Sequence, residues 1–580
     1  MNKTTLLLSS IFFFSFLNLF SQNEEYQIKP RPIEFESIGK LGDSVLSIKM
    51  PIATTNSLRV TTSNKLPYPI IFIHGLNSSS ETWNTTSNYL DSQYSFTFGG
   101  RFDFCLNADN DNTIANTNFY PVSGADIAAF ETTIMQNGDY YYVNFNVNPD
   151  GTIGTDALSN QCAITKQGVA LKKAIERVLE LTGKNKVILV GHSMGGLASR
   201  EYIQNSSNWQ ADNAHHVAKL LTVGTPNGGS NSSDSGIGVF VGIDTHSEAI
   251  RDLKTTYYYS SDPGRYLFGG IEINNSSNMN EHLFGSDFFN IDVNCNGTIG
   301  DNIIGLNQKS IDNLIDFSSI IGRLNGNPTD GVVTEESATM DNFITGLTYP
   351  TKYFYYTSSG LEVHTTLPSQ YSLLIQGLDE PNFKELAYEI DTNVNYTGFT
   401  TVQEDTNSLI DNDYFRFNVT ENILSTVEVS NISTSQMEAS ILDESGILIG
   451  TIENNNGSSL IVNNVLSSGT YYLKLSSLSP TNSDYQTPYN FSITTTLSTN
   501  SFEDTGIVFY PNPVKDILNI ENIHFTKMSL YTTLGQLLEI RVNTNASTKN
   551  KIDLSNYAKG IYFISLENDN ETKTIKIIKE

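Results

Sequence analysis

The sequence predicts an α/β domain on a mostly parallel sheet with helices on both faces, followed by two all-β sandwich-like modules. Three observations carry that expectation. Short apolar runs ending in small residues alternate with amphipathic stretches between Pro67 and about Ile375. After about Lys384 the apolar residues recur at every second position instead, the period of a half-buried strand. A chain of 580 residues also exceeds what one hydrophobic core serves, so several domains are required.

The chain opens on MNKTTLLLSSIFFFSFLNLFSQNEE, with one lysine, an apolar stretch from Leu6 to Phe20, and a small Ser21 before a polar run. That order predicts a secretory signal over 1–21. The apolar stretch is shorter than the ~20 residues a membrane span needs. An N-terminal extension over 22–66 follows, in which LGDSVLS (Leu41–Ser47) reads as a strand. No later segment is apolar enough to cross a bilayer, so no transmembrane segment is expected in the mature protein.

The α/β domain is expected over 67–376. YPIIFIHG is a buried strand entering a loop, and QGVALKKAIERVLELTGK is an amphipathic helix ended by Gly183. KVILVGHS is the next strand, MGGLASREYIQ starts a helix, and VAKLLTVGTPNGG is a further strand. Strand, helix, strand in this rhythm means a parallel sheet covered on both faces. About ninety-five residues then separate VGTPNGGS from Asp330, far more than a usual connection. They read as a cap or lid insert over about 230–325. DYFRFNVT, STVEVSNI, EASILDE and GTYYLKLSS alternate in period two and predict an antiparallel β module over 385–497. LSTNSFEDTG is a linker, and a second β module over 505–580 closes the chain.

Bulk charge narrows the partners. A net charge of -28 excludes nucleic acid and electrostatic docking on anionic lipid. Cys105, Cys162 and Cys295 are too few for a disulfide scaffold and allow one bridge at most.

VILVGHSMGG places Ser193 between Gly191 and Gly195, after an apolar strand and before a helix. A serine on such a strained strand-to-helix turn is exposed for nucleophilic attack, and side chains on its flanks would clash with neighbouring backbone. The helix start offers the Met194 N–H to an oxyanion, and the loop in IIFIHGLNSSS offers that of Leu76. In this kind of fold the chain order is serine, acid, histidine. His74 and His192 lie in the turns already assigned; His215, His216, His246 and His282 precede the best acid; His524 falls in the terminal module. That leaves His364, in a loop after the strong strand of YFYYTSSGLEVHTTLP, as the base. The acid is Asp330 in NGNPTDGVVTEESA, whose Gly and Asn allow a tight turn, with Asp301, Asp312, Asp316, Glu335 and Glu336 as rivals.

HGLN, GHSMGGL, VGTPNGGS, TDGVVTEESA and the late histidine together resemble the lipase and carboxylesterase branch of the α/β-hydrolase superfamily, over about Pro67–Ile375. By that resemblance Ser193 attacks an ester carbonyl, His364 takes and returns the proton, and water releases the acyl group. Asn227 stands where many such lipases have histidine, and nothing catalytic is inferred from the change; Arg200 reads as structural. Residues from about Glu385 to Thr496 resemble the prepeptidase C-terminal β module. The end, with VFYPNPVKDILNIENI, YTTLGQLLEI and NYAKGIYFISLE, resembles the sorting domain of the type IX secretion route. That likeness implies the type IX secretion machinery as partner. It also implies release from, or attachment to the outer surface of, a Gram-negative cell.

The expectation is therefore a secreted serine hydrolase of carboxylic esters, lipase-like, acting on triacylglycerol or other acyl esters. An amidase, peptidase or acyltransferase on the same residues is the alternative within catalysis, and a non-catalytic surface adhesin the alternative outside it. No cofactor is needed for the chemistry. Three Asx-rich phrases do place oxygen-bearing residues at positions one, three and five, as in the first half of an EF-hand loop. They are Asn107, Asp109 and Asp111; Asn146, Asn148 and Asp150; and Asp292, Asn294 and Asn296. All three lack the bidentate Glu at position twelve. A weakly held structural Ca2+ and plain Asx turns are the two readings.

Overall fold

The computed structural model describes residues 29–30, 65–106, 129–131, 135–148, 152–154, 158–230, 232, 247–253 and 305–580, the last span without 345, 361, 402–410, 433–435, 455–458, 479–485, 498–507, 522–524, 543–548 and 568–571. The expected signal, LGDSVLS and most of the N-terminal extension lie outside these residues.

Nine strands make one sheet: β1 (Lys29–Pro30), β2 (Ile70–Ile73), β3 (Phe98–Phe104), β4 (Ala129–Glu131), β5 (Tyr140–Asn144), β6 (Val187–His192), β7 (Val217–Val223), β8 (Asp316–Leu324) and β9 (Lys352–Ser358). Their order is β1-β4-β3-β5-β2-β6-β7-β8-β9. The seven strands from β3 to β9 in that order all run parallel, while β4 is antiparallel to β3. The central strands IIFI, VILVGH and VAKLLTV are buried along their whole length, as strands covered on both faces must be. Order reverses at β2, whose neighbours are β5 and β6, and ligand sites in open parallel sheets form beyond the strand ends at such a switch.

Helices α1 (Asn84–Tyr89), α2 (Ile164–Thr182) and α3 (Met194–Gln204) follow β2, β5 and β6. Ala170, Leu171, Ala174, Ile175, Val178 and Leu181 form the buried stripe of α2, packed with Ile71, Val143 and Leu189 of the sheet. Each such Leu or Ile contributes about 1.5–3 kcal/mol by leaving water, an upper bound. Gly183 at φ 68 ends the helix, its N–H returning 2.8 Å to the Leu179 carbonyl. At the other end α2 begins at Ile164, earlier than the sequence pattern implied. The cause is remote: Glu248 and Asp252 of α4 (Glu248–Leu253) accept from the Ala163 and Ile164 N–H groups at 2.8 and 2.9 Å. Carboxylates there also meet the positive end of the helix dipole.

One boundary needs correction. The insert was expected to run to about 325, but Asp316–Leu324 is β8, hydrogen-bonded between β7 and β9. Its sequence, DFSSIIGRL, carries three buried polar residues and therefore does not read as a core strand. Asp316 is tolerated because Lys219 of β7 pairs with it, and Ser319 because Thr222 donates to it at 3.0 Å. Tertiary partners, not periodicity, make that strand.

In the β module, β10 (Tyr388–Glu389), β11 (Asn395–Gly398), β12 (Asp411–Val419), β13 (Ile423–Ser430), β14 (Met437–Asp443), β15 (Leu448–Asn454), β16 (Leu460–Leu466), β17 (Gly469–Ser477) and β18 (Tyr489–Leu497) form two sheets. Their orders are β10-β12-β17-β14-β15 and β11-β18-β13-β16. β12 alternates as expected, yet its inward positions begin with Asp411 and Asp413 before Phe415 and Phe417.

The terminal module, taken alone, has β19 (Val508–Tyr510), β20 (Ile517–Glu521), β21 (Lys527–Thr532), β22 (Leu537–Val542), β23 (Lys549–Asp553), β24 (Gly560–Glu567) and β25 (Thr572–Lys579). They form the sheets β19-β20-β23 and β22-β21-β24-β25 around Leu518, Ile520, Leu530, Ile564 and Ile577. Among the described residues no helix is long and apolar enough to cross a membrane.

Candidate active site

Ser193 follows the last residue of β6 and precedes α3, at φ 51 and ψ −125. A non-glycine residue rarely takes a positive φ, and this one is held there by its N–H bond to the Val223 carbonyl at 2.8 Å. Close approach explains the flanking glycines. A Cβ on Gly191 would lie 2.5 Å from the Gly196 Cα, and one on Gly195 would lie 2.6 Å from the His74 carbonyl oxygen.

The structure brings Ser193, His364 and Asp330 together from three strand ends. His364 sits on α6 (Val363–Thr366), beyond β9, and its Nε2 lies 3.0 Å from Ser193 Oγ. Its Nδ1 lies 2.7 Å from Asp330 Oδ2. Asp330 stands in the turn between β8 and α5 (Glu335–Ala338), where its Oδ1 accepts from the Val332 and Val333 N–H groups at 2.9 and 2.7 Å. That leaves Oδ2 for the imidazole and fixes its angle. All three side chains are buried. The carboxylate therefore orders the ring with its proton on Nδ1, and the Nε2 lone pair faces the serine hydroxyl.

Three of the rival acids have other partners. Asp312 binds His215 at 3.0 Å, Asp316 binds Lys219, and Glu335 holds Arg323 through both oxygens at 2.7 and 2.6 Å. Asp301 lies outside the described residues. Arg200 is fully buried and braces the loop after β7, donating to Asn227 Oδ1 at 3.1 Å and Asn307 Oδ1 at 2.7 Å. Asn227 thus has a bracing contact rather than a place at the serine.

Met194 is the first residue of α3, and Leu76 lies in the turn after β2 with its side chain packed near Met194 and Leu197. The preceding Gly75 passes so close that a Cβ there would lie 2.7 Å from the Ser193 Cβ. His74 pins this turn. Its Nε2 accepts the Phe145 N–H at 2.9 Å, so its proton is on Nδ1 and goes to the Gly75 carbonyl at 2.8 Å. Burial pulls its pKa down to about 4, which keeps the ring neutral.

Sequence reasoning placed His74 and His192 in the two turns without assigning their side chains, and gave no role to Gly224 or Gly322. A Cβ on Gly322 would lie 2.7 Å from the Asp330 Cβ, and one on Gly224 would lie 3.3 Å from both Asp330 Oδ2 and His364 Nδ1. Gly224 follows the last residue of β7, and Gly322 lies within β8 opposite Tyr356.

Of the three Asx-rich loops, only part of one lies among the described residues. Asn148 donates its side-chain amide to Thr152 Oγ1 at 3.0 Å and its backbone N–H to the Thr152 carbonyl at 2.8 Å. Asn146 is half-buried beside it, while Asp150, Asn107, Asp109, Asp111, Asp292, Asn294 and Asn296 lie outside the described residues. A group of carboxylates lies elsewhere. Asp379, Glu380 and Asp413 bring buried carboxyl oxygens within 4.8 Å of one another. Asp379 Oδ2 takes Lys352 Nζ at 2.8 Å and Asp413 Oδ2 takes the Tyr489 hydroxyl at 2.6 Å. Asp379 Oδ1, Asp413 Oδ1 and the neighbouring Asp411 Oδ1 have no hydrogen-bond partner among the described residues. Such orphaned buried oxygens are costly, and a hard cation would satisfy them.

A seven-stranded parallel sheet flanked by helices, with a serine on the turn after its central strand, is the α/β-hydrolase fold. Residues 67–240 match the family model of the PGAP1-like alpha/beta domain, and residues 508–580 of the terminal module match that of the secretion system C-terminal sorting domain. The chain thus carries a PGAP1-like α/β-hydrolase domain and a sorting domain of the kind that marks secreted or cell-surface proteins. Among solved structures it is similar to a Listeria innocua gene product (17% identity, 55% of this chain and 96% of that one, TM-score 0.32). It is also similar to the Bacillus licheniformis lipase BlEst2 (17%, 53% and 90%, TM-score 0.25). A third likeness is to the pre-peptidase C-terminal domain of Bacillus anthracis collagenase (22%, 20% and 98%, TM-score 0.16). No curated relative matches the chain.

Proposed function

We propose that this chain is a secreted serine hydrolase that cleaves carboxylic esters of acyl groups, in the manner of a lipase. The observation that carries the reading is the Ser193–His364–Asp330 relay at the end of β6, beside the His74–Gly75 turn. In the first half-reaction Ser193 Oγ bonds to the ester carbonyl carbon as its proton passes to His364 Nε2. The Met194 and Leu76 N–H groups face the oxyanion; collapse breaks the ester C–O bond, and His364 returns the proton to the departing alcohol. Water then repeats the sequence on the acyl-enzyme and releases the acid. No metal enters either step. A chain-length series of nitrophenyl esters tests this with purified mature protein. Hydrolysis that rises with acyl length supports a lipase-like site, and activity on amides alone overturns the ester assignment.

The sorting domain supports export by the type IX route. Deleting residues 508–580 is expected to leave ester turnover per molecule unchanged while holding the protein inside the envelope. Fractionation of the native host reads this directly, and full export of the truncated chain would refute it.

We assign a structural calcium to Asp379, Glu380 and Asp413, where buried carboxyl oxygens of Asp379 and Asp413 have no hydrogen-bond partner among the described residues. Burial raises the carboxyl pKa values of Glu380, Asp411 and Asp413 well above the usual range. Without a cation their contribution to stability is full below the unfolded value near pH ~4 and is lost as pH rises through the raised values. Calcium replaces those protons, so its stabilisation grows with pH. Millimolar calcium is expected to raise the Tm more at about pH 8 than at about pH 5, with Asp413→Asn reducing the gain. A gain that Asp413→Asn leaves intact returns the ion to the Asx loops.

A further inference from the structure

We propose that His192 is a positioning residue for the base, holding the His364 backbone through a hydrogen bond that the local sequence leaves unmade. The inference rests on the reading of Ser193, His364 and Asp330 as the reacting set. His364 lies on a helix of only four residues, Val363–Thr366. In a continuing helix its carbonyl would accept from the N–H four residues on, but that residue is Pro368, which has none. His192 Nε2 lies 3.0 Å from this carbonyl oxygen, and both groups are buried. A carbonyl cannot donate, so the proton must sit on His192 Nε2.

The ring is fixed from several sides. It packs on the His364 imidazole with centroids 5.0 Å apart, and the Trp83 indole meets it edge-on at 6.4 Å. Its Nδ1 has no hydrogen-bond partner among the described residues and faces the oxyanion turn, 3.3 Å from where a Gly75 Cβ would stand. Burial holds its pKa well below the ordinary histidine value, so the ring stays a neutral single donor. A second strut lies one turn on, where Thr86 Oγ1 donates to the Pro368 carbonyl at 2.7 Å. The residue before the nucleophile thus sets the height of the base above it, from the same strand end. Serine and histidine are thereby spaced by one rigid connection.

The test uses the full mature chain with His192→Phe and His192→Gln. Phenylalanine keeps the ring packing and loses the donor; glutamine reaches the Nε2 place with an amide N–H. For His192→Phe we expect kcat to fall about 10- to 100-fold with KM within about twofold, the scale of a small misplacement of a reacting group. His192→Gln should recover most of that loss, and a fluorophosphonate should label Ser193 more slowly in His192→Phe than in His192→Gln or the wild type. Full kcat in a folded His192→Phe, or a Gln variant as impaired as Phe, overturns the proposal. If His192→Phe does not fold, Gln against Asn decides, because asparagine places its amide at the Nδ1 side; equal rates for the two overturn it. A wild type that the probe does not label overturns the serine-hydrolase reading itself, whereas labelled wild type with equally fast His192→Phe overturns this inference alone.

Discussion

Ser193→Ala is expected to lower ester turnover roughly a millionfold, the scale seen when a serine nucleophile is removed from a triad. The residual rate would come from binding and the oxyanion donors. Stability should change little. The Ser193 backbone is held at φ 51 by its bond to Val223 and by the packing of Gly191 and Gly195, none of which uses the hydroxyl. Alanine meets the same strain as serine, so melting curves of the two proteins are expected to overlay. Paired measurement of kcat/KM and Tm therefore separates chemistry from folding. A variant with near-normal turnover would move the nucleophile elsewhere. A wild type inert toward esters, amides and acyl acceptors alike would favour the adhesin reading.

Asp330→Asn is expected to cost about 10⁴-fold in kcat with little change in KM. Two backbone N–H groups, those of Val332 and Val333, demand an acceptor at Oδ1. An asparagine that keeps its oxygen there must turn its NH2 toward His364 Nδ1, where Asp330 Oδ2 now sits at 2.7 Å. The ring must then put its lone pair on Nδ1 and its proton on Nε2. With the proton facing Ser193 Oγ, the imidazole is a donor where catalysis needs an acceptor. Flipping the amide instead sets NH2 against two N–H donors, so neither orientation restores the relay. Near-normal rates would mean another acid serves. Glu335 is poorly placed for that, being held by both oxygens to Arg323, an exchange that also lowers its pKa.

The sequence by itself determined the α/β core, the elbow and the partners at the elbow. VILVGHSMGG needs its glycines for reasons that any backbone would impose, and the apolar runs of β2, β6 and β7 are buried because helices cover both faces. Chain order pointed to His364 and the turn in NGNPTDGVV to Asp330 among several rival acids, and the structure sets both within hydrogen-bonding distance of their partners. What lay beyond reach was every feature whose cause is a residue far away in the chain. β8 could not be read because its Asp316 and Ser319 are made tolerable only by Lys219 and Thr222 on the neighbouring strand. The start of α2 depends on carboxylates some eighty residues on, at Glu248 and Asp252. DNDYFRFNV announced a strand, and only packing turned its two leading aspartates inward against Asp379 and Glu380. His192 looked like filler in a motif until the fold set it under a carbonyl that Pro368 cannot serve. Periodicity reports which face of an element is buried. Which polar group may be buried is decided by the partner that satisfies it, and that partner is supplied by tertiary structure alone.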